Sequence, residues 1–247
     1  MNQLTENSYY LFLKKKLFFY LLVLTIFAFL LGICHFWGEE LFLLPGHFFD
    51  LDKERNLPTW FNGLLFFLLG ISTLAAYYVE NNIYHKNNQL FKQRWLWLGL
   101  MLFAFYISVD DMTILHENLF WLEVRQISEA TSPVLKYLTQ WQLLFSPAIL
   151  LALTYLTALL AHRFSLIQKK TLFVAILGIL FWIGALFFEG IRYLFKLTTP
   201  FLYSLEVLIE EEMEMIGTIF LIGAICRYSL ELHFFDLQNL KNPHQIL

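Results

Sequence analysis

The chain has 247 residues, of which 58% are hydrophobic and only 15% charged, and its net charge is −3. A soluble domain carries about 25% charged residues, so this balance excludes a water-soluble globule and makes lipid the main solvent. The small net charge gives no ground for a nucleic-acid partner, and at about 20 residues per crossing the length leaves room for six helices and little else.

In chain order, the apolar runs predict helices at about 17–37, 60–79, 95–117, 143–161, 171–189 and 202–227. Together they form one all-α polytopic transmembrane bundle over 1–247. The first run follows Lys14, Lys15 and Lys16 as a signal peptide would. It is too long for one, and Gly32-Ile33-Cys34-His35-Phe36-Trp37 offers no small-x-small cleavage site. Phe36, Trp37, Trp60, Trp95, Trp97 and Trp141 cluster at helix ends, as interfacial anchors do. With the N-terminus inside, cytoplasmic segments hold eleven Lys and Arg and the opposite segments six. Both termini are therefore expected in the cytoplasm, and the chain in a bacterial inner membrane. Cys34 and Cys226 fall near opposite faces, too far apart for a disulfide.

The sixth helix is the informative one. After Glu214 only the twelve residues Met215–Cys226 are free of charge, and at about 1.5 Å each they cover roughly 18 Å of a hydrocarbon core of about 30 Å. Glu214, with Glu210 and Glu211, must then lie below the membrane surface. Glu206, Glu210 and Glu214 recur every four residues on one stripe, with Glu211 beside it. Glu212 points the other way and needs a different partner or the headgroup region.

Depths measured along each helix from its basic end agree. Asp110 and Asp111 lie about 24–25 Å above Arg94, Glu189 and His35 about 28 Å above Lys170 and Lys16, and Glu210 and Glu214 about 20–25 Å above Arg227. Four of the six helices thus bring acid or imidazole to the outer third of the membrane. Asp110 and Glu117 share a face, flanked by His116 and Asp111. No acid is expected in the cytoplasmic half of a helix.

Three stretches resemble elements of a family of uncharacterised bacterial multi-pass membrane proteins. Phe49-Asp50-Leu51-Asp52-Lys53-Glu54-Arg55-Asn56-Leu57-Pro58-Thr59-Trp60-Phe61 resembles a segment in which Asn-Leu-Pro-Thr-Trp-Phe opens the second helix. Ser108-Val109-Asp110-Asp111 with His116-Glu117 is similar to a Ser-x-Asp-Glu-x4-His-Glu element, with Asp111 where Glu is usual. Glu211-Glu212-Met213-Glu214-Met215 resembles a third element in the last helix. The resemblance implies a six-helix membrane fold and marks the acidic residues. It implies no activity.

Several carboxylates gathered in a membrane cannot all stay ionised and alone. They must bind protons, pair with a cation or coordinate metal. Arg192, three residues after Glu189, could neutralise that acid locally. The expected metal set is Asp110, Asp111, His116, Glu117, Glu210, Glu211 and Glu214, with His35, Glu54, Glu189 and Glu206 behind it. Oxygen-rich ligation with imidazole suits calcium, magnesium, manganese or iron. The plainer alternatives are a helix end emerging into water at 110–117, a solvated face on the last helix, an interfacial His35, and loop capping by Asp50, Asp52 and Glu54.

The negatives narrow the chemistry. There is no Glu-x-x-His pair of a di-iron bundle, no His-x3-His, no zincin motif, no phosphate-binding loop and no Gly-x-Ser-x-Gly elbow. Three classes survive. They are a metal-dependent membrane enzyme acting on a lipid or apolar substrate, a proton- or cation-coupled transporter or channel, and an accessory subunit with a membrane-protein partner or a second copy of itself. The one-sided acids favour the first over a conduction path.

Overall fold

Each apolar run folds as a helix, because lipid leaves a single segment no other way to satisfy its backbone N–H and C=O groups. The computed structural model describes residues 3–43, 46–53, 55–86, 94–113, 141–165, 169–196 and 199–241. The helices are α1 (Gln3–Phe42), α2 (Leu57–Lys86), α3 (Leu96–Thr113), α4 (Trp141–Ser165), α5 (Lys169–Lys196) and α6 (Pro200–Lys241), with a short 3-10 turn at Gly46–Phe48. No strand occurs among the described residues. Five helices, all but α4, are long and apolar enough to cross a membrane.

Tyr10 near the start of α1 donates to Glu231 near the end of α6 at 3.4 Å, and its ring meets Phe234 edge-on at 5.0 Å. The first and last helices therefore begin and end on the same side, here called the terminal end, and the opposite side is the far end.

The bundle is organised around α6. It packs against α1, α2 and α5, while α3 lies on α2 and α4 on α5. In its most apolar stretch 72% of the residues are buried, against 17% in α1, so α1 faces mostly lipid. Close approach depends on small residues, as it does wherever lipid supplies no hydrophobic drive between helices. A Cβ on Gly178 would come 2.9 Å from the Gly217 carbonyl oxygen, and one on Gly217 equally near that of Gly178, so α5 and α6 touch backbone to backbone. On α3, Ser108 donates to the Gly63 carbonyl of α2 at 2.7 Å.

Between the two ends the interior is apolar, built by Leu65, Leu69, Ile179, Met215, Ile219 and Ile222. Ser72 and Thr73, buried in this layer, turn back onto the Leu69 and Gly70 carbonyls of their own helix at 2.7 Å. The helices outrun the sequence-based boundaries, most clearly in α2 and α6, whose membrane-length spans reach Ile83 and Phe234. Glu80 and Glu231, which the sequence analysis did not single out, are buried at the terminal end.

Gly217→Leu should force α5 from α6, at about 1–3 kcal/mol for overpacking, and lower the melting temperature in detergent. Gly99→Leu, where a Cβ would meet nothing within 4 Å, should leave it unchanged. Equal effects would mean that the α5–α6 contact does not hold the bundle.

Candidate functional site

The far end is assembled first by a helix cap. Asn56 Oδ1 accepts from the Thr59 N–H at 3.2 Å, so Asn56 is the N-cap of α2 and Thr59 its third helical residue. Pro58 sits in the first turn, where no N–H is required. The Asn56 amide also donates to the carbonyls of His47 (3.2 Å) and Asp50 (2.5 Å), folding the 46–56 loop onto the bundle. Arg55 takes a left-handed backbone, with φ of 63°, to make that turn. The loop buries Phe49 and Leu51, and the Leu51 N–H donates to His35 Nδ1 at 3.1 Å. The same nitrogen is 3.5 Å from Asp50. It accepts from the backbone and so cannot at once donate to the carboxylate; the backbone bond is the better formed of the two.

The folded loop delivers Asp52 to the bundle, where Tyr203 of α6 donates to it at 2.6 Å. Arg192, near the end of α5, joins the elements. Its guanidinium donates to Glu210 at 2.5 Å and lies 3.8 Å from both Glu206 and Asp52. Glu206 and Glu210 are 1% and 5% exposed, so this is a partly buried ion cluster of one cation with three carboxylates. Glu210 also lies in the field of Glu189.

A second group of acids lies beside it. Glu211 lies in the electric field of Glu214, Glu210, Arg192 and, from α3, Asp111. Asp111 is held by Asn62 of α2, whose amide donates to it at 3.1 Å, and Asp110 is half-buried next to it. Below this group Thr218 donates to the Glu214 carbonyl at 2.9 Å and accepts from the Trp182 indole at 3.0 Å, closing the floor against the apolar layer.

Of the residues that the sequence singled out, Glu206 and Glu210 meet at Arg192, while Glu189 lies in the field of Glu210, and Glu214 and Asp111 in that of Glu211. His35 is committed to the loop through Leu51. His116, Glu117 and Glu54 lie outside the described residues. Glu210 is the bonded partner of Arg192, which takes it out of the expected metal set. Among the described residues no group of three or more His, Cys, Asp or Glu side chains has metal-holding geometry. Sequence reasoning missed Tyr203 and Asn62, gave Asp52 only a loop-capping role, and gave Arg192 only the local role toward Glu189. The resemblance puts Asn56-Leu57-Pro58-Thr59 at the opening of the second helix and carries no sign of where the preceding loop docks.

The expectation that acids gather at one end is corrected. At the terminal end Glu80 is fully buried, accepts from Tyr228 at 2.5 Å and lies 3.6 Å from Arg163. Trp97, Phe164 and Tyr228 pack around this pair with ring centroids 5.1–6.5 Å apart. Glu231 is bonded to Arg227 at 2.8 Å and approached by Tyr10 and Thr171. These acids were hidden from depth counting because they follow the apolar runs instead of interrupting them.

Arg192→Gln would leave Glu206, Glu210 and Asp52 without their shared guanidinium. Removing one partner of a buried pair costs about 3–5 kcal/mol, so the expected result is a clearly lower melting temperature, partly restored by adding Glu210→Gln. If the double variant is no more stable than Arg192→Gln, the pair is not what Arg192 contributes.

No curated protein and no solved structure matches the chain. Its residues 16–228 match one family model, described as a domain of unknown function (DUF8692), and the chain, an α-helical membrane protein, belongs to that family.

Proposed function

We propose that this membrane protein binds a divalent metal ion at the far-end acidic cluster, drawing its ligands from Asp110, Asp111, Glu211 and Glu214 together with His116 and Glu117, which the sequence adds to the set. The observation that supports it is the charge balance around Glu211. This residue lies in the electric field of Glu214, Glu210 and Asp111 from two helices, and the guanidinium near it is already shared by Glu210, Glu206 and Asp52. A second cation would offset that excess. Carboxylate oxygens with one imidazole suit calcium, magnesium, manganese or iron. An ion with an open position there would act as a Lewis acid on a lipid or apolar substrate, which is the enzymatic form of the proposal. The transport reading is weaker, because Met215, Ile219 and Ile222 separate the polar groups of the two ends and a conduction path needs polar groups across the whole depth.

Elemental analysis of protein purified without chelator should find about one divalent ion per chain. Chelation should lower the melting temperature and the added ion restore it, by roughly 2.7 kcal/mol at one hundred times Kd. Glu211→Gln and Glu214→Gln should blunt that response. A metal-free protein whose melting is indifferent to chelator and to added ions would end the metal reading.

The orientation proposed with it places both termini on the cytoplasmic side of a bacterial inner membrane, so that the acidic cluster faces outward. Cysteines at exposed positions 53 and 169 test this in intact cells. A membrane-impermeant thiol reagent should label position 53 and spare 169; the opposite pattern reverses the topology.

A further inference from the structure

We propose that α1 carries a site for one anionic phospholipid at the terminal end, with Lys14 and Lys15 holding its phosphate between Leu11 and Phe18. These four residues share one face of the helix and line a recess of about 340 Å³, within the size range of small-ligand sites. The depth of the lysines follows from the seam between α1 and α6. Tyr10 meets Phe234. Eleven residues further along α1, Leu21 lies against Gly223, eleven residues back along α6. In that register Lys14, Lys15 and Lys16 run alongside 228–230, level with Tyr228 and the Glu80 carboxylate it bonds. They therefore stand one to two helical turns inside the Tyr10 contact. Exposed apolar side chains lie on both sides of them, Leu11 and Phe12 toward the terminus and Phe18 and Phe19 toward the middle.

The acids of this layer do not answer the charge. Glu80 and Glu231 are engaged by Arg163 and Arg227, and none of the three lysines makes an ion pair among the described residues. Lys14 and Lys16 instead reach back one turn, each ammonium over a ring, at 5.6 Å from the Tyr10 centroid and 4.6 Å from that of Phe12. This bend lifts their charge toward the terminal surface while the stems stay against apolar groups. Lys15 is exposed. A phospholipid fits both halves of this surface. Its phosphate compensates the ammonium groups, and its acyl chains lie along Phe18, Leu22 and Ile26, which continue the exposed face down α1. An acidic peptide would meet the lysines alone and set its polar backbone against those side chains, a costly contact.

The test is native mass spectrometry of the full chain in detergent, titrated with phosphatidylglycerol or with phosphatidylcholine of the same acyl chains. One phosphatidylglycerol per chain should be retained, more tightly than phosphatidylcholine. The Lys14→Gln/Lys15→Gln variant should bind it about thirtyfold more weakly. Lys169→Gln/Lys170→Gln removes the same charge from exposed positions at the start of α5, on the same side of the bundle, and should bind it as the wild type does. Inorganic phosphate in large excess should not displace the lipid. Equal retention of the two lipids by the wild type, or unchanged affinity in Lys14→Gln/Lys15→Gln, overturns the proposal. So does an equal loss in Lys169→Gln/Lys170→Gln, which would mean diffuse attraction, or displacement by inorganic phosphate, which would mean a free-anion site. If Lys14→Gln/Lys15→Gln fails to fold, the single variants Lys14→Gln and Lys15→Gln replace it, each expected to bind about fivefold more weakly. Wild-type affinity in both overturns the site.

Discussion

The constraint on which the rest of this bundle depends is the cost of carrying a row of carboxylates into lipid on one helix. Even after relaxation an ion buried without a partner costs several kcal/mol. The helix that carries Glu206, Glu210, Glu211, Glu212 and Glu214 must therefore be surrounded by protein. That explains why α6 is the most buried helix and why α1, α2 and α5 each pack on it. It also explains the position of Arg192. Near the end of α5 its guanidinium reaches Glu206 and Glu210 one turn apart on α6 and Asp52 from the loop. The backbone contact between Gly178 and Gly217 holds α5 near enough for that reach.

Two polar layers and an apolar middle follow from the same constraint. Each layer has its own cations among the described residues, Arg192 at the far end and Arg163 and Arg227 at the terminal end. Tyr228, Trp97 and Phe164 enclose the terminal-end pair, whereas the far-end group lies under a loop. A pair enclosed by large aromatic rings is suited to holding helices in place. A cluster covered by a loop of about ten residues can be uncovered by local opening, which costs far less than opening a bundle. The asymmetry of the covers, more than the count of acids, distinguishes the two ends.

What the sequence disclosed and what it withheld divide along physical lines. The all-helical architecture and its five membrane-length helices were legible because apolar runs of that length have no other stable form in lipid. The need to shield Glu210 within the protein was legible because the uncharged run after Glu214 is too short to span. Glu80 and Glu231 were not, since a charge at the edge of an apolar run reads the same whether it emerges into water or pairs inside. Asp52 and Tyr203 were not legible either. Their 2.6 Å contact joins positions 151 residues apart, and no local periodicity carries that information.

The loop sequence and the helix acids belong to one assembly, and the order of dependence can be followed through the contacts. The Asn56 cap fixes where α2 starts and, through its amide, where His47 and Asp50 lie. That fold turns Phe49 and Leu51 inward and leaves Asp52 pointing at Tyr203 and Arg192. Once Asp52 and Glu210 share the guanidinium, Glu211 lies in the field of Glu214 and Asp111 with that cation already engaged. A change in the cap would thus reach the acids through two hydrogen-bonded steps, without touching either helix that bears them. Asn56 and Glu211 are far apart in the chain, yet the first sets the charge surrounding the second.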